Sequence, residues 1–334
     1  MNKSLNDVKV FITRDIPALG VDLLVKEGFN VSVWPHNRPM KPKELAEEGK
    51  KVNAIITLGT DPINKSFLNA CHQLDLISQF AVGYDNIDIT EATRLGILVG
   101  NAPGAMSDAT ADVAFGLMIT TSRKMFYMHK TIAKGGWTFF KPKADLGFEL
   151  KNKTLGIFGL GRIGKEMALR CKGAYNMNVI YCNRTPNPEA EKLLDAQKVS
   201  FDGLLRQSDV LSVHCALTDE TKDVFNKVAF EKMKSTSLFI NTARGGIHNE
   251  KDLVDALKKG IIWGAGLDVT NPEPMDATNP LLSMPNVSVL PHIGSATVEA
   301  RNEMSRLAAM NIIEFYKNDL IPNLVNPEAV KPKL

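Results

Sequence analysis

Three polar residues in this chain each follow a strand-like apolar run. Leu238-Phe-Ile-Asn-Thr-Ala leads to Arg244-Gly-Gly, and Gly264-Ala-Gly-Leu-Asp-Val leads to Thr270-Asn-Pro-Glu273-Pro. Val287-Ser-Val-Leu-Pro leads to His292-Ile-Gly-Ser-Ala. Ligands of open α/β sheets bind beyond the carboxyl ends of the strands, so these three groups would share one edge. An arginine can grip a carboxylate through two parallel hydrogen bonds. A histidine can give a proton to a carbonyl oxygen as hydride reaches the carbon. A glutamate against that histidine orients the ring and favours the imidazolium. Hydride reduction of a 2-keto acid needs these residue types. Plainer readings stay open: Arg244 could cap a turn, Glu273 could be a solvated loop carboxylate, and His292 could be structural. The other histidines, His36, His72, His129, His214 and His248, lack metal-ligand spacing and read as structural or exposed, so no metal site is expected.

A hydride donor is implied upstream. Thr154-Leu-Gly-Ile-Phe-Gly-Leu-Gly-Arg-Ile-Gly-Lys reads as strand, turn and helix, and a second strand follows at Val179-Ile-Tyr-Cys. Gly159, Gly161 and Gly164 fall in the G-x-G-x-x-G spacing. In a dinucleotide site the first glycine makes the tight turn, the second admits the pyrophosphate, and the third lets helix and strand pack closely. The diphosphate then sits at the helix N-terminus, where free N–H groups and the helix dipole favour negative charge. Leu160, Arg162 and Ile163 are counted with the glycines as cofactor contacts. A site for NAD usually has Asp or Glu roughly 20 residues on, for the ribose hydroxyls. Here Asn183, Arg184 and Thr185 stand at that place. A carboxylate would repel a 2′-phosphate, whereas an arginine and a hydroxyl would bind it through charge-assisted hydrogen bonds. NADPH is therefore expected over NADH, the alternative being a solvated arginine at a strand end.

Around these motifs strand-like runs alternate with helical patterns, which argues for parallel βαβ units. A first series comprises Val8–Thr13, Val31–Trp34, Ala54–Leu58, Leu74–Phe80 and a run near Ile97–Gly100, with helices starting near Pro17, Pro42 and Asn64. A second comprises Thr154–Phe158, Val179–Cys182, Val210–His214, Leu238–Asn241, Gly264–Val269 and Val287–Leu290. Between them the pattern predicts one long apolar helix from about Asp108 to Lys134, then a loop rich in Gly, Trp, Phe and Pro. A last helix, about Val298 to Lys317, precedes a Pro- and Lys-containing tail and could return to the first domain. The glycine fingerprint opens the second series, so the cofactor domain is expected in the middle of the chain, inside a discontinuous substrate domain.

Composition bounds the rest. The 334 residues suggest two domains, and 44% hydrophobic with 23% charged residues is ordinary for a soluble globular protein. A net charge of +3 without a basic run disfavours nucleic acid as a partner. No apolar h-region opens the chain and no run approaches a membrane span, so neither export nor a membrane partner is expected. Cys71, Cys171, Cys182 and Cys215 show no C-x-x-C spacing and read as free, buried cysteines of a cytoplasmic protein.

Gly159-Leu-Gly-Arg-Ile-Gly, Asn241-Thr-Ala-Arg-Gly-Gly, Ala265-Gly-Leu-Asp-Val-Thr-Asn-Pro-Glu-Pro and Pro291-His-Ile-Gly-Ser-Ala-Thr occur in this order. Together they resemble the successive signatures of the D-2-hydroxyacid dehydrogenase family, and most its glyoxylate/hydroxypyruvate reductase branch, with 2-ketogluconate reductases nearby. The resemblance implies an α/β fold of two Rossmann-like or flavodoxin-like, doubly wound parallel-sheet domains with the active-site cleft between them. The substrate domain would comprise 1–103 plus 295–334 and the NAD(P)-binding domain 104–294.

By the same resemblance His292 is the acid/base, Glu273 its carboxylate partner, and Arg244 the holder of the substrate carboxylate and carbonyl. Phe80-Ala-Val-Gly-Tyr-Asp-Asn-Ile-Asp is similar to the family's substrate loop, which would bind the carboxylate through the amides of Val82 and Gly83; otherwise it is a plain strand-to-helix glycine turn. Asp268 would face the nicotinamide carboxamide and Thr110 would touch the cofactor at the domain crossover. Cys215, Ala216, Leu217 and Thr221 would cover the adenine and ribose. Thr242, Ala243, Arg244, His292 and Gly294 would complete the cofactor contacts, and Ser295 would join His292 at the substrate. Mammalian-type reductases carry two tryptophans after the long helix, one reaching across from the partner subunit; this chain has Trp137 and then Phe140, which lacks the indole donor. The expectation is an NADPH-preferring reductase of glyoxylate and hydroxypyruvate, giving glycolate and D-glycerate, and a homodimer joined through the segment after Asn101. A 2-ketogluconate reductase is the nearest alternative, and a nucleotide-sensing, corepressor-like binding protein is the alternative of another class. Phosphoglycerate dehydrogenase is less favoured, because few residues follow the last helix.

Overall fold

Val10 and Ile12 pack into one apolar cluster and Phe11 into another, because successive strand residues face opposite sides of a sheet. Both sides of that sheet are covered by helices, which is why its central strands are buried along their length rather than on alternate residues. A computed structural model describes residues 4–330 of the chain. The first three residues and the last four, with the Lys-containing end of the tail, lie outside the described residues. The chain divides into two compact units, Met1–Met106 with Ala296–Leu334, and Ser107–Ser295.

The first unit holds strands β1 (Lys9–Ile12), β2 (Asn30–Val33), β3 (Ala54–Thr57), β4 (Leu76–Gln79) and β5 (Leu98–Gly100). They form one parallel sheet in the order β2-β1-β3-β4-β5, with Val10 in register with Val31 and Ala54. The helix Val298–Asn318 lays Met304, Ala308, Ala309 and Ile312 on one face. It is anchored there by Ser305, whose hydroxyl accepts from the Gly20 amide at 3.0 Å, and by the Ala308 carbonyl, which accepts from the Ser78 hydroxyl at 2.8 Å. Leu45, Phe67, Leu68 and Ala92 cover the other face.

The second unit holds β6 (Thr154–Phe158), β7 (Asn178–Cys182), β8 (Gln197–Lys198), β9 (Val210–Val213), β10 (Leu238–Asn241), β11 (Gly264–Leu267) and β12 (Val287–Val289). Its sheet is parallel in the order β12-β11-β10-β9-β6-β7-β8. The chain winds outward from β6 to β8, then crosses to β9 and winds the other way, so the order reverses between β6 and β9. Such a reversal is where an open sheet leaves a crevice for a dinucleotide. It also sets β10, β11 and β12 side by side.

Two expectations need correction. The apolar segment expected as one helix from Asp108 to Lys134 is two helices, Ser107–Ser122 and Met125–Ala133. The break falls where the Ser122 carbonyl is taken by the Phe148 amide at 3.2 Å, the Lys124 amide bonds the Thr121 carbonyl at 3.0 Å, and Lys124 turns left-handed at φ 55°. The second sheet also has a seventh strand, β8, only two residues long and polar, which lacks the apolar run that marks the others. Among the described residues no helix is long and apolar enough to cross a membrane.

Candidate active site

β6 ends at Phe158 and is followed by Gly159, whose φ of 100° lies in the left-handed region that glycine tolerates. A Cβ at Gly159 would come within 2.7 Å of the Cys215 backbone nitrogen, and one at Gly164 within 2.5 Å of the Gly159 carbonyl oxygen. A Cβ at Gly161 would meet no atom within 4 Å, so this backbone faces open space. The helix Arg162–Tyr175 starts at once, and its first intrahelical bond is Lys165 to Gly161 at 2.9 Å. The amides of Arg162, Ile163 and Gly164 precede that bond and have no intrahelical acceptor.

Leu160, at the apex, is tied down by two asparagines. Asn183 accepts from the Leu160 amide at 2.7 Å through Oδ1, and its Nδ2 reaches back to the Leu160 carbonyl at 3.3 Å. Asn187 donates to the same carbonyl at 2.9 Å. Asn183 thus shapes the glycine turn, and Asn187, unmarked by any motif, shares the task. Arg184 and Thr185, between them, are exposed. In the loop after β9 the Thr221 hydroxyl donates to the Ala216 carbonyl at 2.8 Å and accepts from the Thr218 amide at 2.8 Å, which fixes the path of Ala216 and Leu217 beyond Cys215.

The ends of β10, β11 and β12 are built in the same way. Asn241 accepts from the Ala243 amide at 2.9 Å and donates to the Arg244 carbonyl at 2.9 Å, folding the turn that carries Arg244. The Arg244 guanidinium donates to the Ala243 carbonyl at 2.8 Å. Gly245 lies so close to the Thr270 carbonyl that a Cβ would overlap it, so the arginine turn and the Glu273 turn are packed backbone to backbone. His292 Nδ1 stands 2.5 Å from Glu273 Oε1, with both side chains partly exposed at 45% and 40%. That contact occupies Nδ1 and leaves Nε2 to face a ligand. His292 is itself left-handed at φ 55°.

Asp268 holds that conformation. Its backbone carbonyl accepts from the His292 amide at 2.9 Å, Oδ1 from the Ile293 amide at 2.8 Å, and Oδ2 from the Gly294 amide at 2.7 Å. Burial holds the Asp268 carboxyl above its ordinary range, against the opposing pull of the two amides. The Thr110 hydroxyl secures the Gly294 carbonyl at 3.1 Å, and Ser295, next along, is buried.

In the first unit the Val82 carbonyl accepts from Asn101 at 2.8 Å and the Gly83 carbonyl from Gln79 at 3.2 Å. In a planar trans peptide the N–H lies opposite the carbonyl, so holding the Val82 carbonyl also fixes the Gly83 N–H. Gln79 is buried and further held by the Thr57 hydroxyl at 2.7 Å and by Asn86 at 2.8 Å. Asn241 opens the Asn241-Thr-Ala-Arg-Gly-Gly signature without a role of its own assigned there, and Asn187 and Gln79 carry no motif. A polar residue closing an apolar strand, as in Leu238-Phe-Ile-Asn241 and Leu76-Ile-Ser-Gln79, is the signal that marks two of them.

The residues present fit a dinucleotide. The bare backbone at Gly161 leaves room for a diphosphate over a helix start. The Thr242 hydroxyl, at the end of β10, is buried without a hydrogen-bond partner, a state that buried polar groups rarely keep unless a ligand or water completes them. Among the described residues no group of His, Cys, Asp or Glu could hold a metal ion.

A doubly wound sheet with this cradle and an Arg/Glu/His edge defines a nicotinamide-dependent oxidoreductase. The family model for the D-isomer specific 2-hydroxyacid dehydrogenase NAD binding domain matches residues 115–294. A glyoxylate reductase of Thermococcus litoralis is 43% identical over 326 residues, covering 96% of this chain and 98% of its own. Among solved structures, a glyoxylate reductase from Paecilomyes thermophila superposes with a TM-score of 0.87 at 34% identity, covering 97% of this chain and 99% of that one. An NADPH-dependent glyoxylate/hydroxypyruvate reductase from Sinorhizobium meliloti, in complex with NADP and malonate, gives 0.84 at 29% identity, covering 98% and 99%. The chain belongs to the D-isomer specific 2-hydroxyacid dehydrogenase family.

Proposed function

We propose that this protein reduces small 2-keto acids, glyoxylate and hydroxypyruvate first, to the D-2-hydroxy acids, with NADPH preferred over NADH. The observation that carries the reading is the 2.5 Å contact of His292 with Glu273 beside Arg244, on three adjacent strand ends. When bound, the nicotinamide supplies the hydride that adds to C2. The protein's own residues do the rest. Arg244 grips the carboxylate and polarises the carbonyl. His292 presents Nε2 to the carbonyl oxygen and passes a proton to it as hydride arrives, while Glu273 at Nδ1 keeps the ring oriented. Thr110, Asp268 and Gly294 frame the nicotinamide end, Thr242 and Ala243 the middle, and Cys215 to Thr221 the adenosine end. Ser295 borders the substrate beside His292.

In this reading the unit Ser107–Ser295 carries the cofactor and the other unit the substrate loop. Arg184 and Thr185 support the phosphorylated cofactor, since both are exposed at a strand end with no carboxylate in the ribose position. A homodimer is supported by Trp137, Phe139, Phe140 and Leu146, which are 71%, 66%, 83% and 65% exposed along one segment. Apolar exposure on that scale calls for a partner, and a second copy would meet it through an isologous interface. Four free cysteines suit the reducing cytoplasm.

The test is oxidation of NADPH and of NADH in the presence of glyoxylate, hydroxypyruvate and 2-ketogluconate. The highest kcat/KM is expected for NADPH with one of the two smaller acids. Highest efficiency with 2-ketogluconate would move the assignment to that reductase, and no oxidation with any acid would leave a nucleotide-binding module.

A further inference from the structure

At the outer edge of the second sheet, β8 sets Lys198 in register with Tyr181 on β7. The Lys198 ammonium donates to the Arg184 carbonyl at 3.4 Å, so a second cation stands at the Arg184–Thr185 turn. The turn is fixed from both sides. Asn183 and Asn187 both bond Leu160, and the Asn187 amide donates to the Tyr181 hydroxyl at 3.0 Å. Arg184, Thr185 and Lys198 are all exposed, so their charged and hydroxyl ends are open to a ligand.

A phosphomonoester carries between one and a half and two negative charges at neutral pH, by the general value of about 6 for its second ionisation. Arg184 alone does not balance it. Lys198, held at the same turn, brings the second positive charge. We propose that Lys198 is the second cation of a 2′-phosphate site made with Arg184 and Thr185, so that it sets the cofactor's phosphate discrimination. The proposal rests on the NADPH reading above and names the residue that tunes it.

The probes are adenosine 2′,5′-bisphosphate and adenosine 5′-monophosphate, which differ only in the 2′-phosphate, titrated by calorimetry into the intact protein. Lys198→Met should weaken the bisphosphate roughly three- to tenfold, as loss of one exposed charge facing a near-dianion. It should leave the monophosphate within about twofold, and Lys198→Arg should restore most of the loss. Unchanged bisphosphate affinity in Lys198→Met, alongside a loss in Arg184→Met, would overturn the role of Lys198 and leave the cofactor reading standing. Equal weakening of both probes would also overturn it. A wild-type protein that binds both probes equally would overturn the cofactor reading itself.

Discussion

Asp268→Asn probes how His292 is kept in place. His292 occupies the left-handed region at φ 55°, which costs a non-glycine residue about 1–3 kcal/mol unless its surroundings enforce it. Enforcement comes from the Asp268 carboxylate, which accepts from the Ile293 and Gly294 amides at 2.8 and 2.7 Å. An asparagine keeps one acceptor and turns an NH2 group toward the other amide. One charge-assisted hydrogen bond, about 1.5–3 kcal/mol, is lost, and an N–H group is left unmet at a cost of about 1–3 kcal/mol. Partial relaxation brings the net to about 2–4 kcal/mol against the loop conformation that sets His292 on Glu273. Charged fully to the transition state, this lowers kcat/KM roughly 30- to 900-fold. The assay is steady-state reduction of glyoxylate by NADPH, with adenosine 2′,5′-bisphosphate affinity as the control for the far end of the site. A variant within threefold of wild type, with its fold intact, would refute the idea that Asp268 positions His292.

Other substitutions and conditions test separate parts of the structure. Gly245→Ala should force the arginine turn off the Thr270 carbonyl and cut kcat/KM roughly 5- to 160-fold, as a strain of about 1–3 kcal/mol from overpacking would; full activity in this variant would show that the two turns move independently. Burial holds the His214 and His248 imidazoles down at about 3 and about 4. Their unfolded values lie near 6.5, so the unfolded chain takes up protons first and stability falls as pH drops through about 6.5 toward 4. The two together should remove about 3 kcal/mol of urea-measured stability between pH 6.5 and 5, by the linkage slope of each group, and His248→Gln should remove about half of that slope. A slope unchanged in that variant would contradict the buried neutral state. Burial likewise pushes the Cys71 thiol up to about 11 and the Cys171 and Cys215 thiols to about 12, so the native protein should resist iodoacetamide at neutral pH while the urea-unfolded protein reacts. Fast labelling of Cys215 in the native state would contradict this.

The local devices were legible in the chain because each is written in contiguous residues. The Gly159-x-Gly161-x-x-Gly164 turn needs φ and space that only glycine gives, and apolar runs ending in Arg244, Glu273 and His292 mark strand ends by pattern alone. What was not legible depends on partners distant in sequence. Nothing in Asp108 to Lys134 shows that the Phe148 amide takes the Ser122 carbonyl and splits the helix. Gln197-Lys198 is a strand only because β7 lends it a ladder, and its lysine meets the Arg184 turn for the same reason. The adjacency of β10, β11 and β12 likewise belongs to the strand order, which no single run encodes.

Turnover of His292→Ala bears most directly on the assignment of this edge as a catalytic site. His292 touches Glu273 at 2.5 Å and leaves Nε2 for the carbonyl oxygen, so its loss should lower kcat for glyoxylate roughly 100- to 10,000-fold, the usual worth of a positioned general acid. Binding of adenosine 2′,5′-bisphosphate should stay within about twofold, because the adenosine contacts proposed for Arg184 and Thr185 do not involve this side chain. A His292→Ala protein that reduces glyoxylate as fast as wild type would contradict the role given to His292, and with it the chemistry assigned to the Arg244, Glu273 and His292 edge.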